Sequence, residues 1–210
     1  QQYYESPFFF SAKALQDVSL VTIELTKVYR QKDEDFLTIL NAIREGNSKD
    51  IDLGALNERY DPDFEPEEEA YIYLTSHNRI ADAINQKKLR ALPGNSHFYD
   101  AKIVGDFKEN SYPNEVSLEL KAGTQIMFIR NDASSEKRYF NGKLAEVVRL
   151  DEDEIYVQIE GDDEEYKLKK EIWEQKVYAL DANKNIQENV LGSFEQYPIR
   201  LAWAVTIHKS

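Results

Sequence analysis

A strand, a polar turn and a helix follow one another between residues 70 and 89, and this order constrains the fold more than any other part of the sequence. The apolar run at 70–74 is typical of a buried strand, and the polar residues 75–78 follow it directly. A helix is predicted next by the apolar residues Ile80, Ala81, Ile84 and Leu89. This order predicts an α/β domain in which ligands gather at the carboxyl ends of the strands.

Two further elements are predicted before this unit. Residues 21–25 alternate and are β-branched, which favours a strand. A helix is predicted at 34–45, with Asp33 as its N-cap and Gly46 as a left-handed C-cap. Its apolar face is predicted to consist of Phe36, Leu37, Leu40 and Ile43.

The pattern changes to short strands between residues 118 and 178. Strands are predicted at 124–129, 144–150, 154–159 and 165–173. Turn sequences at Asn141-Gly142 and Gly161-Asp162 separate some of them. This segment predicts a small all-β barrel inserted into the α/β domain, to which the last twenty residues return.

The charge distribution neither supports nor excludes a nucleic-acid partner. The formal net charge of -13 opposes polyanion binding. However, residues 61–69 and 151–165 hold six and nine acids without a base, which leaves 24 acids against 26 bases elsewhere. Such runs are usually solvated turns. A cation-binding protein is the less favoured alternative, because neither of its candidate stretches, 151–154 and 161–165, has the ligand spacing and terminal Glu of an EF-hand loop. We expect no metal site, since His77, His97 and His208 are scattered.

The compartment is predicted from cysteine usage and hydropathy. The sequence has no cysteine, so it offers neither a disulfide nor a thiolate metal site. No apolar stretch is long enough to span a bilayer, and the first residues lack a signal-peptide pattern. We therefore expect a soluble cytoplasmic protein without a membrane partner. We also expect the chain to be a piece of a longer protein, since it has no initiator Met.

The last nine residues combine an apolar run with a polar end. Residues 202–205 are typical of a core strand, whereas Thr206, His208, Lys209 and Ser210 offer hydrogen-bond donors of the kind that phosphate oxygens accept. This pattern predicts a site for a nucleic-acid backbone. The alternative is an ordinary strand or helix end that becomes polar where it reaches solvent.

Four stretches in this order resemble one family: LTKVYRQ at 25–31, YLTSHN at 73–78, LKAGTQIM at 120–127 and AWAVTIHKS at 202–210. Together they are similar to the second motor half of superfamily-one 5′-to-3′ DNA helicases, the RecD-like and Pif-type enzymes. The resemblance implies a partial RecA-like three-layer α/β domain with an inserted SH3-like barrel. It implies the boundaries 1–117 and 191–210 for the RecA-like part and 118–190 for the barrel.

The resemblance also implies residue roles. Arg30 is similar to the motif IV arginine that reaches the terminal phosphate of ATP, next to Gln31; the alternative is a surface arginine that follows a strand. Thr75, His77 and Asn78 resemble a DNA-contacting turn at a helix N-terminus, where the alternative is a simple helix cap by Thr75 or Ser76. The resemblance to the DNA-contacting motif V rests on Thr206, His208, Lys209 and Ser210.

The implied activity belongs to a larger protein. The resemblance implies ATP-dependent translocation on single-stranded DNA, with ATP and Mg²⁺ bound mainly by the N-terminal motor domain of the same protein. This sequence has no Gly-x-x-x-x-Gly-Lys-Ser/Thr loop, so we expect the fragment to hold no cofactor and to be inactive alone.

Two further interpretations concern the barrel segment. Its aromatic residues could stack on bases, although a core role is favoured in a small barrel; they are Tyr139, Phe140, Tyr156 and Trp173. The rival function is an acidic β-barrel module that binds a protein partner and has no motor activity.

Overall fold

The computed structural model describes residues 4–15, 17–25, 27–28, 31–47, 51–64, 71–181 and 183–207. The chain forms two compact units, Gln1–Glu65 and Pro66–Ser210. Within the described residues, the first unit contains only helices, whereas the second unit contains the strands. The fold is therefore mixed α/β.

The first unit is built from short helices. Two 3-10 helices lie at Phe9–Ser11 and Lys13–Leu15, followed by α1 (Glu34–Glu45) and α2 (Leu53–Asn57). The Asp33 side chain accepts a hydrogen bond from the amide of Phe36 at 3.0 Å, which satisfies one of the free N–H groups of α1. Gly46 ends the helix in the left-handed region, with φ 70°. The predicted bounds and both caps of α1 are confirmed.

The predicted apolar face of α1 is largely exposed in the described residues. The buried residues are Ile39 and Ala42, whereas Phe36, Leu40 and Ile43 are 38%, 41% and 47% exposed. Burial depends on which neighbouring elements pack against a helix, and periodicity alone does not determine that side.

The predicted strand at 21–25 is also wrong. No described residue forms a strand ladder with this segment, and Val21, Ile23 and Leu25 are 86%, 80% and 91% exposed. Alternating β-branched residues favour an extended chain, but a strand also needs a partner that satisfies its backbone groups.

The second unit contains α3 (Asn78–Ala91), a 3-10 helix at Glu109–Ser111 and twelve strands within the described residues. The strands are β1 (Tyr73–Thr75), β2 (His97–Asp100), β3 (Lys102–Gly105), β4 (Ser117–Leu120), β5 (Gln125–Phe128), β6 (Leu144–Leu150), β7 (Ile155–Ile159), β8 (Glu165–Lys167), β9 (Glu171–Leu180), β10 (Ile186–Gln196), β11 (Ile199–Leu201) and β12 (Ala204–Thr206).

A parallel pair, β1 and β12, packs against α3. The side of α3 that faces inward carries Ala81, Asn85 and Leu89, which are 5%, 7% and 0% exposed. These residues are four apart and therefore share one face of the helix. The predicted order of strand, polar turn and helix is confirmed.

The main core belongs to a five-stranded antiparallel sheet with the order β11-β5-β6-β7-β8. Inward residues alternate along β7, where Ile155, Val157 and Ile159 are buried. The ring of Tyr139 stacks on Phe128 at 3.8 Å, which confirms the core interpretation for this tyrosine. β11 and β8 lie at opposite edges of this sheet and do not pair with each other. These described strands therefore form an open sheet and not a closed barrel.

The bounds predicted for β6 are confirmed, whereas the single strand predicted at 165–173 is wrong. This segment divides into β8, which pairs with β7, and β9, which pairs with β10 in another sheet. Between them Leu168 is buried, and its amide donates to the carbonyl of Ile155 at 2.9 Å. A single continuous strand cannot pair with β7 in one sheet and with β10 in another, so the chain is interrupted between β8 and β9.

The remaining sheets are β3-β10-β9 and the antiparallel pair β2-β4. Gly192 of β10 lies opposite Gly105 of β3. A Cβ at Gly105 would lie 2.4 Å from the carbonyl oxygen of Leu191, and Gly105 has φ 68°. The two backbones therefore approach as closely as glycine permits.

We expect Gly105→Ala to lower the free energy of unfolding by about 1–3 kcal/mol, because the new methyl group meets backbone that must shift. Urea unfolding followed by tryptophan fluorescence measures the change. Gly161→Ala is the matched control: its φ is 79°, but nothing lies within 4 Å of its Cβ position. Equal losses in the two variants would contradict the close approach.

Candidate functional site

The polar residues that follow β1 and those that follow β12 meet at one edge of the parallel pair. Thr75 lies directly beside Thr206 in the ladder, and the amide of Ile207 donates to the carbonyl of Thr75 at 3.1 Å. Parallel strands present their carboxyl ends to the same side. The residues singled out in two distant parts of the sequence are therefore neighbours.

The turn between β1 and α3 is closed by its own side chains. The Thr75 hydroxyl donates to the carbonyl of His77 at 3.1 Å, and Ser76 Oγ lies 2.8 Å from His77 Nδ1. His77 is the N-cap residue of α3 but makes no side-chain capping hydrogen bond. The alternative in which Thr75 or Ser76 caps the helix is therefore wrong.

The four described residues of this edge differ in accessibility. His77 and Asn78 are exposed, Thr75 is half-buried, and Thr206 is buried. The first turn of α3 carries no acidic side chain, so no carboxylate there opposes an anion near the helix N-terminus. A ligand would meet His77 and Asn78 first, with Thr75 and Thr206 beneath them.

A buried side-chain amide connects α3 to β12. Asn85 Nδ2 donates to the carbonyl of Ala204 at 2.9 Å, and the amide of Ala204 donates to Asn85 Oδ1 at 2.8 Å. β1 pairs with one edge of β12. On the other edge, the Asn85 side chain forms the two hydrogen bonds that a neighbouring strand would otherwise form. Asn85 therefore connects the middle of α3 to the first residue of β12.

A second amide holds the chain just before β12. Gln125 is buried, and its Nε2 donates to the carbonyl of Ala202 at 2.9 Å. The amide of Ala202 donates to the backbone carbonyl of Gln125 at 3.0 Å. The stretch at 120–127 therefore supports the terminal stretch at 202–207.

Of the remaining predicted site residues, the structure describes Gln31. Gln31 belongs to the first unit, where its Oε1 accepts from the amides of Lys32 and Asp33 at 2.7 Å and 3.0 Å. The side-chain oxygen of Gln31 is thus used locally, at the start of α1. Outside the residues that the structure describes lie Arg30, His208, Lys209 and Ser210.

Two residues of this region were missed by the sequence reasoning. Asn85 carries a detectable signal, because it is a polar residue at the helical spacing of Ala81 and Leu89. Arg200 carries no such signal, because a charged residue between Ile199 and Leu201 is ordinary strand alternation. Arg200 borders a cleft between α3, the segment 112–115 and β12.

Ion pairs hold part of the second acidic run in the antiparallel sheet. Arg138 donates from Nε and Nη2 to one oxygen of Asp162, at 3.1 Å and 2.6 Å, and this bond raises the pKa of the guanidinium. Arg149 pairs with Asp151 at 2.5 Å.

The described residues contain no group of three or more His, Asp or Glu that could hold a metal ion. None of the described helices combines the length and the apolar character that crossing a membrane requires.

The aromatic residues of the antiparallel region differ in burial. Phe140 is 59% exposed, whereas Tyr156 and Trp173 are half-buried. Trp173 packs edge-on against Phe194 at 6.2 Å. Tyr156 lies beneath the guanidinium of Arg149, which is 3.6 Å from the ring centroid. Base stacking by these residues stays a prediction.

Known proteins resemble this chain over nearly all of its length, although no protein-family model matches it. The ATP-dependent DNA helicase PIF1 of Xenopus laevis is 28% identical over 216 residues, covering 98% of this chain and 32% of the relative. The crystal structure of Bacteroides sp Pif1 in complex with ADP-AlF4 is 33% identical and covers 100% of this chain and 47% of that chain, with a TM-score of 0.78. Bacteroides Pif1 bound to ssDNA is also 33% identical with the same coverage, and its TM-score is 0.66.

The match has a defined extent. The chain spans about a third of the length of the curated relative and about half of the solved chains. The identity extends across both compact units, since the solved chains align with all of the sequence. This chain is homologous to the Pif1-type superfamily-one helicases over nearly its whole length.

Proposed function

We propose that the protein carrying this chain is an ATP-dependent DNA helicase that moves 5′ to 3′ along single-stranded DNA, and that this chain forms its second motor domain. The homology to Pif1 helicases supports the class of activity. The observation that carries the proposal is the pairing of Thr75 with Thr206, which joins two separate candidate DNA-binding stretches at one edge.

The proposed DNA contacts lie at this edge. His77 and Asn78 hold the strand backbone directly, while Thr75 and Thr206 form the surface beneath it. Backbone amides at a helix N-terminus are suited to phosphate, and the first turn of α3 has no opposing carboxylate. We assign His208, Lys209 and Ser210 to the same contacts, because they follow Thr206 closely in the sequence and Lys209 adds a positive charge. A solved relative, Bacteroides Pif1, is bound to ssDNA.

The proposed ATP contacts are made from another part of the chain. Arg30 reaches the terminal phosphate of ATP, and Gln31 lies beside it. The described residues offer no carboxylate cluster for Mg²⁺, and the sequence has no phosphate loop. ATP and Mg²⁺ are therefore held mainly by the N-terminal motor domain of the same protein, the partner against which this domain moves.

The proposed domain organisation keeps the family pattern. Residues 1–117 and 191–210 belong to the RecA-like domain, and residues 118–190 form an inserted segment of the SH3-like type whose described strands make an open sheet. The α/β arrangement of β1, β12 and α3 supports the first assignment, and the antiparallel ladder from β5 to β8 supports the second. Nucleotide binding closes the two motor domains and moves one hold on the DNA backbone past the other.

The activity is tested on the full-length protein. We expect single-stranded DNA to stimulate ATP hydrolysis, and we expect a duplex with a 5′ single-stranded tail to be unwound while one with a 3′ tail is not. Flat binding of single-stranded DNA across salt concentrations, without stimulated hydrolysis, would favour the protein-interaction module instead.

We expect His77→Ala to weaken single-stranded DNA binding about fivefold, because one hydrogen bond to the backbone is lost. Fluorescence anisotropy with a labelled oligonucleotide measures the dissociation constant. His97→Ala is the control, since His97 lies in β2, outside the candidate edge. Equal affinity of the His77→Ala variant and the unmodified protein would remove His77 from the contact surface.

A further inference from the structure

We propose that a cleft beside the candidate DNA edge takes one nucleobase of the bound strand, and that Arg200 is the residue that contacts this base. The proposal rests on the proposed function, because it requires single-stranded DNA at the edge formed by β1 and β12. It adds a contact to the base, whereas His77 and Asn78 are proposed to hold the backbone.

The cleft lies within the second unit and adjoins the candidate edge. It has a volume of about 230 Å³ and runs between one face of α3, the segment 112–115 and the residues of β11 and β12. Asn78 and Thr206 are among its lining residues, so the cleft is continuous with the proposed backbone contacts. Its volume lies below the roughly 300–1,000 Å³ of sites for drug-sized ligands, which suits a ligand as small as a single base.

Arg200 enters this cleft from β11 with most of its hydrogen-bonding capacity unused. Its neighbours Ile199 and Leu201 pack into the core, so Arg200 points to the opposite side of the sheet. Nη2 donates to the carbonyl of Pro113 at 3.3 Å, whereas the buried Nε has no hydrogen-bond partner. A guanidinium has five N–H donors, and leaving a buried one unpaired is costly.

The surroundings of Arg200 leave it charged but weakly compensated. Burial lowers the pKa of its guanidinium, while the charges of Glu115 and Asp82 act in the opposite direction. No carboxylate of the described residues lies within ion-pair distance of Arg200. A ligand with acceptor atoms would therefore complete its hydrogen bonding.

The charges of the cleft favour a base over a phosphate. Asp82 and Glu115 line the cleft together with Arg200. A phosphate inside the cleft would meet the carboxylate of Asp82, which opposes its negative charge. A base edge presents acceptors to which arginine donates, and its amino groups donate to carboxylates. The cleft offers both kinds of partner.

The experiment uses the full-length protein and a single-stranded oligonucleotide scanned with one abasic nucleotide at each position in turn. For the unmodified protein we expect one position at which the abasic nucleotide weakens binding roughly tenfold. Arg200→Ala should weaken binding of the intact strand by a similar factor and show no further loss with the abasic nucleotide at that position. The salt dependence of the affinity should stay unchanged, since no phosphate contact is lost.

Two further variants make the result specific. Arg200→Lys keeps the charge but loses the planar fork, so we expect it to lose affinity for the intact strand and not for the abasic one. Arg90→Ala removes the same charge from the exposed end of α3, outside the cleft lining, and should show no dependence on the abasic nucleotide. Thermal unfolding confirms that each variant is folded.

Three outcomes would overturn the proposal. A scan of the unmodified protein without a sensitive position shows that no base is held, and this result needs no variant. Loss of affinity for intact and abasic strands alike, with a salt slope reduced by about 0.7, would identify a phosphate contact instead. Unchanged affinity of Arg200→Ala would remove Arg200 from the site. Absence of single-stranded DNA binding by the unmodified protein would instead refute the proposed function.

Discussion

Replacing Arg30 by alanine is expected to lower the rate of ATP hydrolysis of the full-length protein by about a thousandfold or more. An arginine that reaches the transferred phosphoryl group stabilises the charge that develops on it, and such residues contribute roughly 10³–10⁵ to kcat. The affinity for single-stranded DNA should change little, because the proposed DNA contacts lie after β1 and β12. Steady-state hydrolysis at saturating DNA and anisotropy measure the two quantities.

The specificity of this effect is tested with other arginine variants. Arg30→Lys keeps the charge but loses the planar fork, so we expect a large but incomplete loss of kcat. Arg44→Ala is the control, since Arg44 is an exposed residue of α1 whose only ion pair in the described residues is with Glu45 at 3.6 Å. Normal turnover in the Arg30→Ala variant would exclude Arg30 from catalysis.

Replacing Asn85 by alanine is expected to lower the free energy of unfolding of the second unit by about 2–4 kcal/mol. The variant loses both hydrogen bonds to Ala204. The buried backbone N–H and C=O groups of Ala204 are then unpaired. We also expect weaker DNA binding, because Ala204 is two residues from Thr206. Urea unfolding followed by the fluorescence of Trp203, next to Ala204, measures the change.

A nearly isosteric variant separates packing from hydrogen bonding at this position. Asn85→Asp keeps an acceptor for the amide of Ala204 but places a carboxylate oxygen against its carbonyl, so we expect a loss as large as that of Asn85→Ala. Lys87→Ala, at an exposed position of the same helix, should leave stability within about 0.5 kcal/mol of the unmodified protein. If Asn85→Asp retained full stability, the two hydrogen bonds would not be what connects α3 to β12.

Local signals were sufficient for some elements and failed for others. The bounds of α1 were predictable because Asp33 and Gly46 act within one turn of the helix ends. β6 was predictable because its alternation and flanking turns are also local. The segment 21–25 has the same kind of alternation, yet no strand forms there, because pairing requires a distant partner. The buried side of α1 likewise depends on its neighbours.

The candidate site also has parts that local sequence patterns predicted and parts that depend on tertiary contacts. The polar turn at 75–78 and the polar end that begins at Thr206 were recognisable as separate patterns, each at the end of a predicted strand. Nothing in the sequence states that these two strands are adjacent and in register at Thr75 and Thr206. The role of Arg200 depends on a cleft whose walls come from residues far apart in the chain.

By itself, the sequence determined the strand–turn–helix order around residues 70–91, the caps of α1 and the resemblance to Pif-type helicases, because each depends on residues close together in the chain. Only the tertiary structure decided that β12 returns beside β1, that Asn85 connects α3 to Ala204, and that Arg200 borders a cleft at the same edge. The physical reason is that backbone pairing and burial are completed by whichever segments meet in space, and separation along the chain does not specify which segments these are.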